Sequence, residues 1–203
     1  MSTSSPLPAV EPVSARRQAL DRAAVRAGIG FAHFTAHHWL ALVNLFLILY
    51  LISSLAAPGL MALGWTSAAN AIYVTLSLTC TQIPSHSYFL FGHQMGVCQR
   101  DLALYGTTLL AGLAFVPVRR RLRPLSWSLF MLFGLPMAVD GFTQLFGWRE
   151  STWELRTVTG ALFAVGWVWL IYPWAEAHLL RMDVQLHREL QELQQSPETS
   201  SPS

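Results

Sequence analysis

A run without a single charge, residues 39–57 (WLALVNLFLILYLISSLAA), constrains this chain more than any other feature. As an α-helix rising 1.5 Å per residue, its roughly 19 residues cross the ~30 Å hydrocarbon core of a bilayer. In water it would have to be wrapped by elements that are themselves covered with polar groups. The chain cannot supply them: 53% of its 203 residues are hydrophobic and 12% are charged, whereas an ordinary soluble domain carries about a quarter charged residues. This combination predicts an all-α, multi-pass helical membrane protein whose first partner is the lipid bilayer. The net charge is only +2, and the Arg residues lie beside apolar runs rather than on one soluble face. That arrangement speaks against a nucleic-acid partner.

Polarity divides the chain. Residues 1–13 are polar and Pro-rich, without the pattern of a secretory signal, and are expected to be a disordered tail. Residues 14–38 carry Arg16, Arg17, Arg22 and Arg26 and read as a cytoplasmic interfacial helix. The transmembrane domain is expected over 39–180. Its first span, 39–57, is closed by Pro58 and Gly59. Segment 67–78 is broken by Asn70 and several Ser and Thr and is too short to cross, so it is expected to be a re-entrant or interfacial helix. Spans follow at 101–118, stopped by RRRLR at 119–123, and at 124–139. A last span covers 157–170 and extends to 180 if Pro173 kinks the helix without ending it. In 181–195, Met182, Leu186, Leu190 and Leu193 recur at amphipathic helical spacing. Residues 196–203 have the composition of a free tail.

Short basic segments stay in the cytoplasm, and both the N-terminal Arg cluster and RRRLR qualify. An even number of crossings must separate them, which gives four spans and two cytoplasmic termini in the plasma membrane. A five-span alternative, with 67–78 crossing, breaks this rule at 119–123. On either count the polar stretches 80–101 and 140–156 are separated by two crossings, so they share one face of the membrane.

Those stretches hold the candidate chemistry, because charges at a membrane boundary are retained chiefly when paired or useful. Arg100, Asp140, Gln144, Arg149, Glu150 and Arg156, with Gln82 and Gln94, are the candidate ligand-binding set. Arg pairs suit carboxylate or phosphate because the guanidinium fork donates two parallel hydrogen bonds. The plainer alternative is a structural ion-pair network. At Asp140, the following Gly141 also reads as a turn that stops the helix.

The run LPMAVDGFTQLFGWRESTWELRTVTGALF, together with Cys80, Gln82, Pro84, Ser87, Gln94, Cys98, Arg100, Tyr105 and Gly106, resembles the family of small membrane proteins known as domain of unknown function 2085. The resemblance covers roughly residues 80–166. It implies membrane location and a shared polar site, and no particular activity. Similar sequences usually carry Cys-His-Gln and Arg-Ser in the first motif; here Thr81 and His86 stand in place of that His and Arg.

Other constellations offer different chemistry. Cys80, His86, His93 and Cys98 are ligand types for tetrahedral zinc, although their spacing is not that of a known zinc motif. The plainer alternative makes the cysteines small buried apolar residues and the histidines boundary residues. A Cys80–Cys98 disulfide is a third possibility if the loop faces outside. A thiol enzyme would use Cys98 or Cys80 with His86 or His93 as base and Arg100 as the positive neighbour. His33 and His37, one helical turn apart, have metal-binding spacing, but histidines beside Trp39 are common at interfaces. Trp148, Trp153, Trp167, Trp169 and Trp174 fit the aromatic belts of a membrane boundary, and Gly106, Ala111 and Gly112 fit close helix packing. No cofactor is assigned by the sequence. The functional expectation is a site for a small polar or anionic ligand or lipid headgroup, or a docking surface for a membrane protein partner or a second copy of the chain. The alternatives are a Cys/His membrane enzyme and an accessory subunit of a membrane complex.

Overall fold

The computed structural model describes residues 15–195; the tails expected at 1–13 and 196–203 lie outside the described residues. The order of elements is α1 (Ala15–Ala62), α2 (Thr66–Leu76), a 3-10 turn (Pro84–His86), β1 (Ser87–Leu90), β2 (His93–Cys98), α3 (Gln99–Val118), α4 (Trp127–Leu145) and α5 (Trp153–Gln195). Among the described residues, four helices are long and apolar enough to cross a membrane, in the segments Ala23–Ala62, Gln99–Val118, Trp127–Leu145 and Trp153–Arg188. The chain is a multi-pass helical membrane protein. α2 has 11 residues, about 16 Å at helical rise, and is too short to cross. Its neighbours Gly64 and Cys80 mark the ends of a short helix lying between the first and second candidate spans.

Two local expectations are corrected. Pro58 and Gly59 do not end the first helix, which continues to Ala62 with Pro58 inside it. Proline is tolerated there because neighbouring packing in a membrane protein shelters the freed carbonyl, and Pro58 is fully buried. Gly141 does not stop α4 either. The helix runs on to Leu145, and the chain turns at Gly147, whose φ of 67° is left-handed. Asp140 is therefore a helical residue facing inward rather than a turn residue.

The described residues form two compact units, one of residues 38–180 and another of residues 15–37 with 181–195. In the larger unit, Trp39 and Leu40 of α1, Phe115 of α3, and Val168 and Tyr172 of α5 make one buried cluster. Trp39 Nε1 donates to Glu176 Oε2 at 2.7 Å, and Arg119 Nε lies 3.7 Å from the same carboxylate. That carboxylate ties the basic end of α3 to α5. Leu125, Phe130 and Leu170 join α4 to α5, and Tyr50, Leu76, Cys80 and Val97 join α1, α2 and β2. Of the glycines expected to allow close packing, Gly112 does so: an added Cβ would lie 2.5 Å from Asn44 Oδ1. Gly106 faces open space.

The polar stretch before α3 contains an antiparallel hairpin that the sequence did not signal. Ser87 pairs with Cys98 and Leu90 with His93, with a bulge between Ser87 and Phe89. The two loop residues, Phe91 and Gly92, have φ of 53° and 77°, as a two-residue hairpin turn of the primed type demands. Phe replaces the usual Asn or Asp there, at a cost of about 1–2 kcal/mol for the left-handed backbone. Side-chain amides anchor the hairpin. Gln82 Nε2 donates to the carbonyls of Tyr73 (2.8 Å) and Gly96 (2.9 Å), and Gln94 Nε2 donates to the Gln82 carbonyl at 2.6 Å. At Gly96 an added Cβ would sit 2.5 Å from Leu76 Cδ1 and 3.1 Å from Ser54 Cα. Only glycine lets β2 press this closely on α1 and α2.

Candidate functional site

Asp140, in the penultimate turn of α4, is 1% exposed. A lone carboxylate so placed would be very costly to bury, so its partners decide whether it stays charged. Arg100 Nη2, from the first turn of α3, approaches Oδ2 at 2.5 Å; Arg149 Nη2 approaches Oδ1 at 2.6 Å; Ser151 Oγ donates to Oδ2 at 2.9 Å. Arg149 and Ser151 come from the connection between α4 and α5. The N-terminal end of α3 thus meets the C-terminal end of α4 and the entry to α5. Gly160 permits the approach: a Cβ there would lie 2.8 Å from the Arg100 carbonyl oxygen.

Around this clamp runs a second layer. Gln144, one turn beyond Asp140, accepts from Arg100 Nη2 at 3.4 Å, and its Nε2 lies 3.0 Å from His86 Nε2. With its amide oxygen toward Arg100, Gln144 donates to His86, whose Nε2 must then carry the lone pair. Burial, reinforced by the positive charge of Arg156, holds the His86 imidazole below its usual pKa, with Glu150 opposing. Neutral His86 is thus consistent with the acceptor role. Arg156 is 4% exposed; its Nη1 donates to Gln99 Oε1 at 3.1 Å and to the Ser85 carbonyl at 3.3 Å. Glu150 lies 4.0 Å from Arg156 Nη2 and 3.9 Å from His86 Nε2, but it is 88% exposed and sits at the rim.

Three guanidiniums therefore surround one buried carboxylate and one solvated one. The buried Nε atoms of Arg100 and Arg156 have no hydrogen-bond partner among the described residues. Beside Arg100 opens an apolar groove of about 340 Å³, lined by Gly134, Met137, Ala138, Phe142, Leu145 and Phe163.

Residues 80–170 match the family described as a predicted membrane protein, domain of unknown function 2085. The chain is 39% identical over 145 residues to an uncharacterized protein of Methanocaldococcus jannaschii, covering 67% of this chain and 91% of that one. The chain belongs to this family. An uncharacterized protein of Methanothermobacter thermautotrophicus is 32% identical over 89 residues, 43% of this chain and 78% of that one. No solved structure matches the chain.

Every residue of the Asp140 network lies inside the region matched by the domain of unknown function 2085. Of the sequence candidates, the fold brings Arg100, Asp140, Gln144 and Arg149 into direct contact, with Arg156 and Glu150 alongside. Gln82 and Gln94 instead spend their amides on the hairpin. Sequence reasoning missed Ser151, Gln99 and the Ser85 carbonyl. Ser151 belongs to the Arg-Glu-Ser motif that carried the family resemblance and was legible on that ground. Gln99 adjoins Arg100 with no local mark of its role.

The zinc-type set splits in the structure. Cys80 and Cys98 group with Asp101, their ligand atoms within 4.8 Å of one another, while His86 is held at Gln144. His93 begins β2, across from Leu90. Both thiols are free, and the Cys98 backbone N–H donates to Cys80 Sγ at 3.2 Å. A hydrogen bond from the Cys80 thiol pulls the Cys98 pKa down; the same bond, then burial, pushes Cys80 up.

Proposed function

We propose that this protein binds a phosphate-type anion at one membrane face, supplied by an anionic lipid headgroup whose acyl chain lies in the groove beside Arg100. The carrying observation is the surplus of guanidinium at the site: Arg100, Arg149 and Arg156 against the buried carboxylate of Asp140 and the exposed one of Glu150. Asp140 positions two of these cations. The Nε groups of Arg100 and Arg156 are buried without a hydrogen-bond partner among the described residues, donors that are costly to leave unmade and that an acceptor would reach after a shift of the side chains covering them. The groove next to Arg100, apolar apart from that residue, supports a lipid rather than a free anion. The basic segments at Arg16–Arg26 and 119–123 assign themselves to the cytoplasm by the positive-inside rule. Within this proposal the site lies on the opposite, outer face of the plasma membrane with both termini inside.

Native mass spectrometry of the full chain in mild detergent tests this directly. Phosphatidylglycerol should be retained in preference to phosphatidylcholine, and Arg149→Gln and Arg156→Gln should each weaken that preference. Equal retention of both lipids, unaltered by either substitution, would refute the reading. Retention of inorganic phosphate without phosphatidylglycerol would point to a soluble anion as the source. For orientation, Glu150→Cys in a chain with Cys80 and Cys98 changed to Ser should react with an impermeant maleimide in intact cells.

A further inference from the structure

Outside the region of the family match, α1 and α5 each carry a pair of metal-ligating residues one helical turn apart: His33 and His37 on α1, Asp183 and His187 on α5. An i, i+4 pair projects from one face of a helix. All four residues belong to the compact unit formed by residues 15–37 and 181–195, and there the two pairs meet. His33 Nδ1 lies 3.0 Å from Asp183 Oδ1, His187 Nδ1 3.5 Å from the same oxygen, and His37 Nδ1 3.9 Å from Oδ2. The His33 ring centroid is 4.3 Å from that of His37 and 5.2 Å from that of His187. Ligand atoms of His33, Asp183 and His187 all fall within 4.8 Å of one another.

We propose that His33, His37, Asp183 and His187 form a binding site for one divalent transition-metal ion of the zinc class. Zinc–nitrogen and zinc–oxygen bonds of about 2.0–2.1 Å place tetrahedral donors roughly 3.3 Å apart; His33 Nδ1 and Asp183 Oδ1 stand 3.0 Å apart, close to that edge, and a ligand atom of His187 falls within 4.8 Å of both. Imidazoles in the majority select borderline metals over calcium or magnesium, which take oxygen ligands. The rings of His37 and His187 also make the second contact typical of ligating histidines. His37 Nδ1 bonds the His33 carbonyl at 3.0 Å and His187 Nδ1 the Asp183 carbonyl at 2.9 Å. With Nδ1–H donated to the backbone, Nε2 is the nitrogen left with a lone pair. Asp183 supplies the negative charge that three neutral imidazoles lack, and its side chain is only 12% exposed while His33 and His187 are each 50% exposed. A bound ion would pin the two helical segments together.

The test uses the full chain in mild detergent without a polyhistidine tag. Zinc is measured by elemental mass spectrometry after equilibrium dialysis, and Co²⁺ by its visible spectrum. One zinc per chain is expected, with Co²⁺ giving tetrahedral d–d bands and no thiolate charge-transfer band. Asp183→Asn and the double variant His33→Gln/His187→Gln should each weaken binding at least about tenfold, while the Cys80→Ser/Cys98→Ser protein binds as before. These substitutions fall on a solvent-accessible cluster, and an unchanged elution profile confirms that each variant is folded. Absence of stoichiometric zinc, zinc retained by both cluster variants, or zinc lost with the cysteines would each overturn the proposal.

Discussion

Arg100 and Asp140 stand 40 positions apart in the chain, on different helices, and share a 2.5 Å ion-pair contact at one end of the helical bundle. The contact joins the two polar stretches of an otherwise charge-poor chain, and it makes Asp140 the residue on which the surrounding cations depend.

Asp140→Asn should destabilise strongly. It leaves Arg100, whose side chain is 20% exposed, without its counter-charge, and breaking a buried pair from one side costs about 3–5 kcal/mol. Arg149, 40% exposed, is better solvated, so Arg149→Gln should cost no more than about 1 kcal/mol. Thermal unfolding in detergent micelles compares the two; equal effects would mean that Asp140 is not the centre of the network.

Arg156→Lys should loosen the hairpin while leaving the helices in place. Gln99 and the Ser85 carbonyl both accept from Arg156 Nη1, and the ammonium of lysine, on a shorter and flexible stem, does not hold that position as the planar guanidinium does. The expected loss is about 1–3 kcal/mol. Amide hydrogen exchange over residues 85–99 should quicken, with little change in the middle of α3.

Gly160→Ala should force α5 from α3, because the new methyl would lie 2.8 Å from the Arg100 carbonyl. Overpacking of this kind costs about 1–3 kcal/mol. Gly106→Ala, at a position with nothing within 4 Å, should instead be neutral or stabilising by up to about 1 kcal/mol through helix propensity. Melting temperatures of the two variants should therefore move in different directions or by clearly different amounts.

His86 links stability to pH. Its folded pKa lies below the unfolded value of 6.5, so the unfolded chain takes up the proton first as pH falls. Stability is full above the unfolded value and declines as pH drops from about 6.5 toward the folded pKa. His86→Gln should flatten that decline in unfolding midpoints measured from pH 7.5 to 5. An unaltered slope would show that His86 is not the group responsible.

Cys98 should be the more reactive thiol, since the Cys80 hydrogen bond favours its thiolate and the thiolate is the nucleophile. Peptide mapping after brief iodoacetamide treatment at neutral pH should find Cys98 modified before Cys80. Cys80→Ala, which removes the donor, is expected to slow modification of Cys98.

What was legible in the sequence follows physical range. That Arg100 and Asp140 share a membrane face came from counting crossings, because each charge-free run must traverse the bilayer and return. Local turn signals failed at Pro58 and at Asp140–Gly141, where packing in a bundle outweighs the local preference of proline and glycine. The hairpin escaped because Phe91–Gly92 lacks the Asn-Gly or Asp-Gly signature, and its stability comes from Gln82, Gln94 and the glycine contact at residue 96 with α1 and α2. Gly160 carried no mark separating it from Gly106, since the difference is the neighbour each one meets.

By itself the sequence determined the solvent and the helical class, because insertion in a bilayer depends on composition summed along about 20 consecutive residues, a property of each segment alone. Only the tertiary structure decided that Asp140 faces Arg100, Arg149 and Ser151, that Gln82 and Gln94 serve the hairpin, and that His33 and His37 meet Asp183 and His187. Those pairings depend on helix rotation and approach to within a few tenths of an ångström. Such quantities are set by the packing of distant segments and leave no trace in the residues taken one segment at a time.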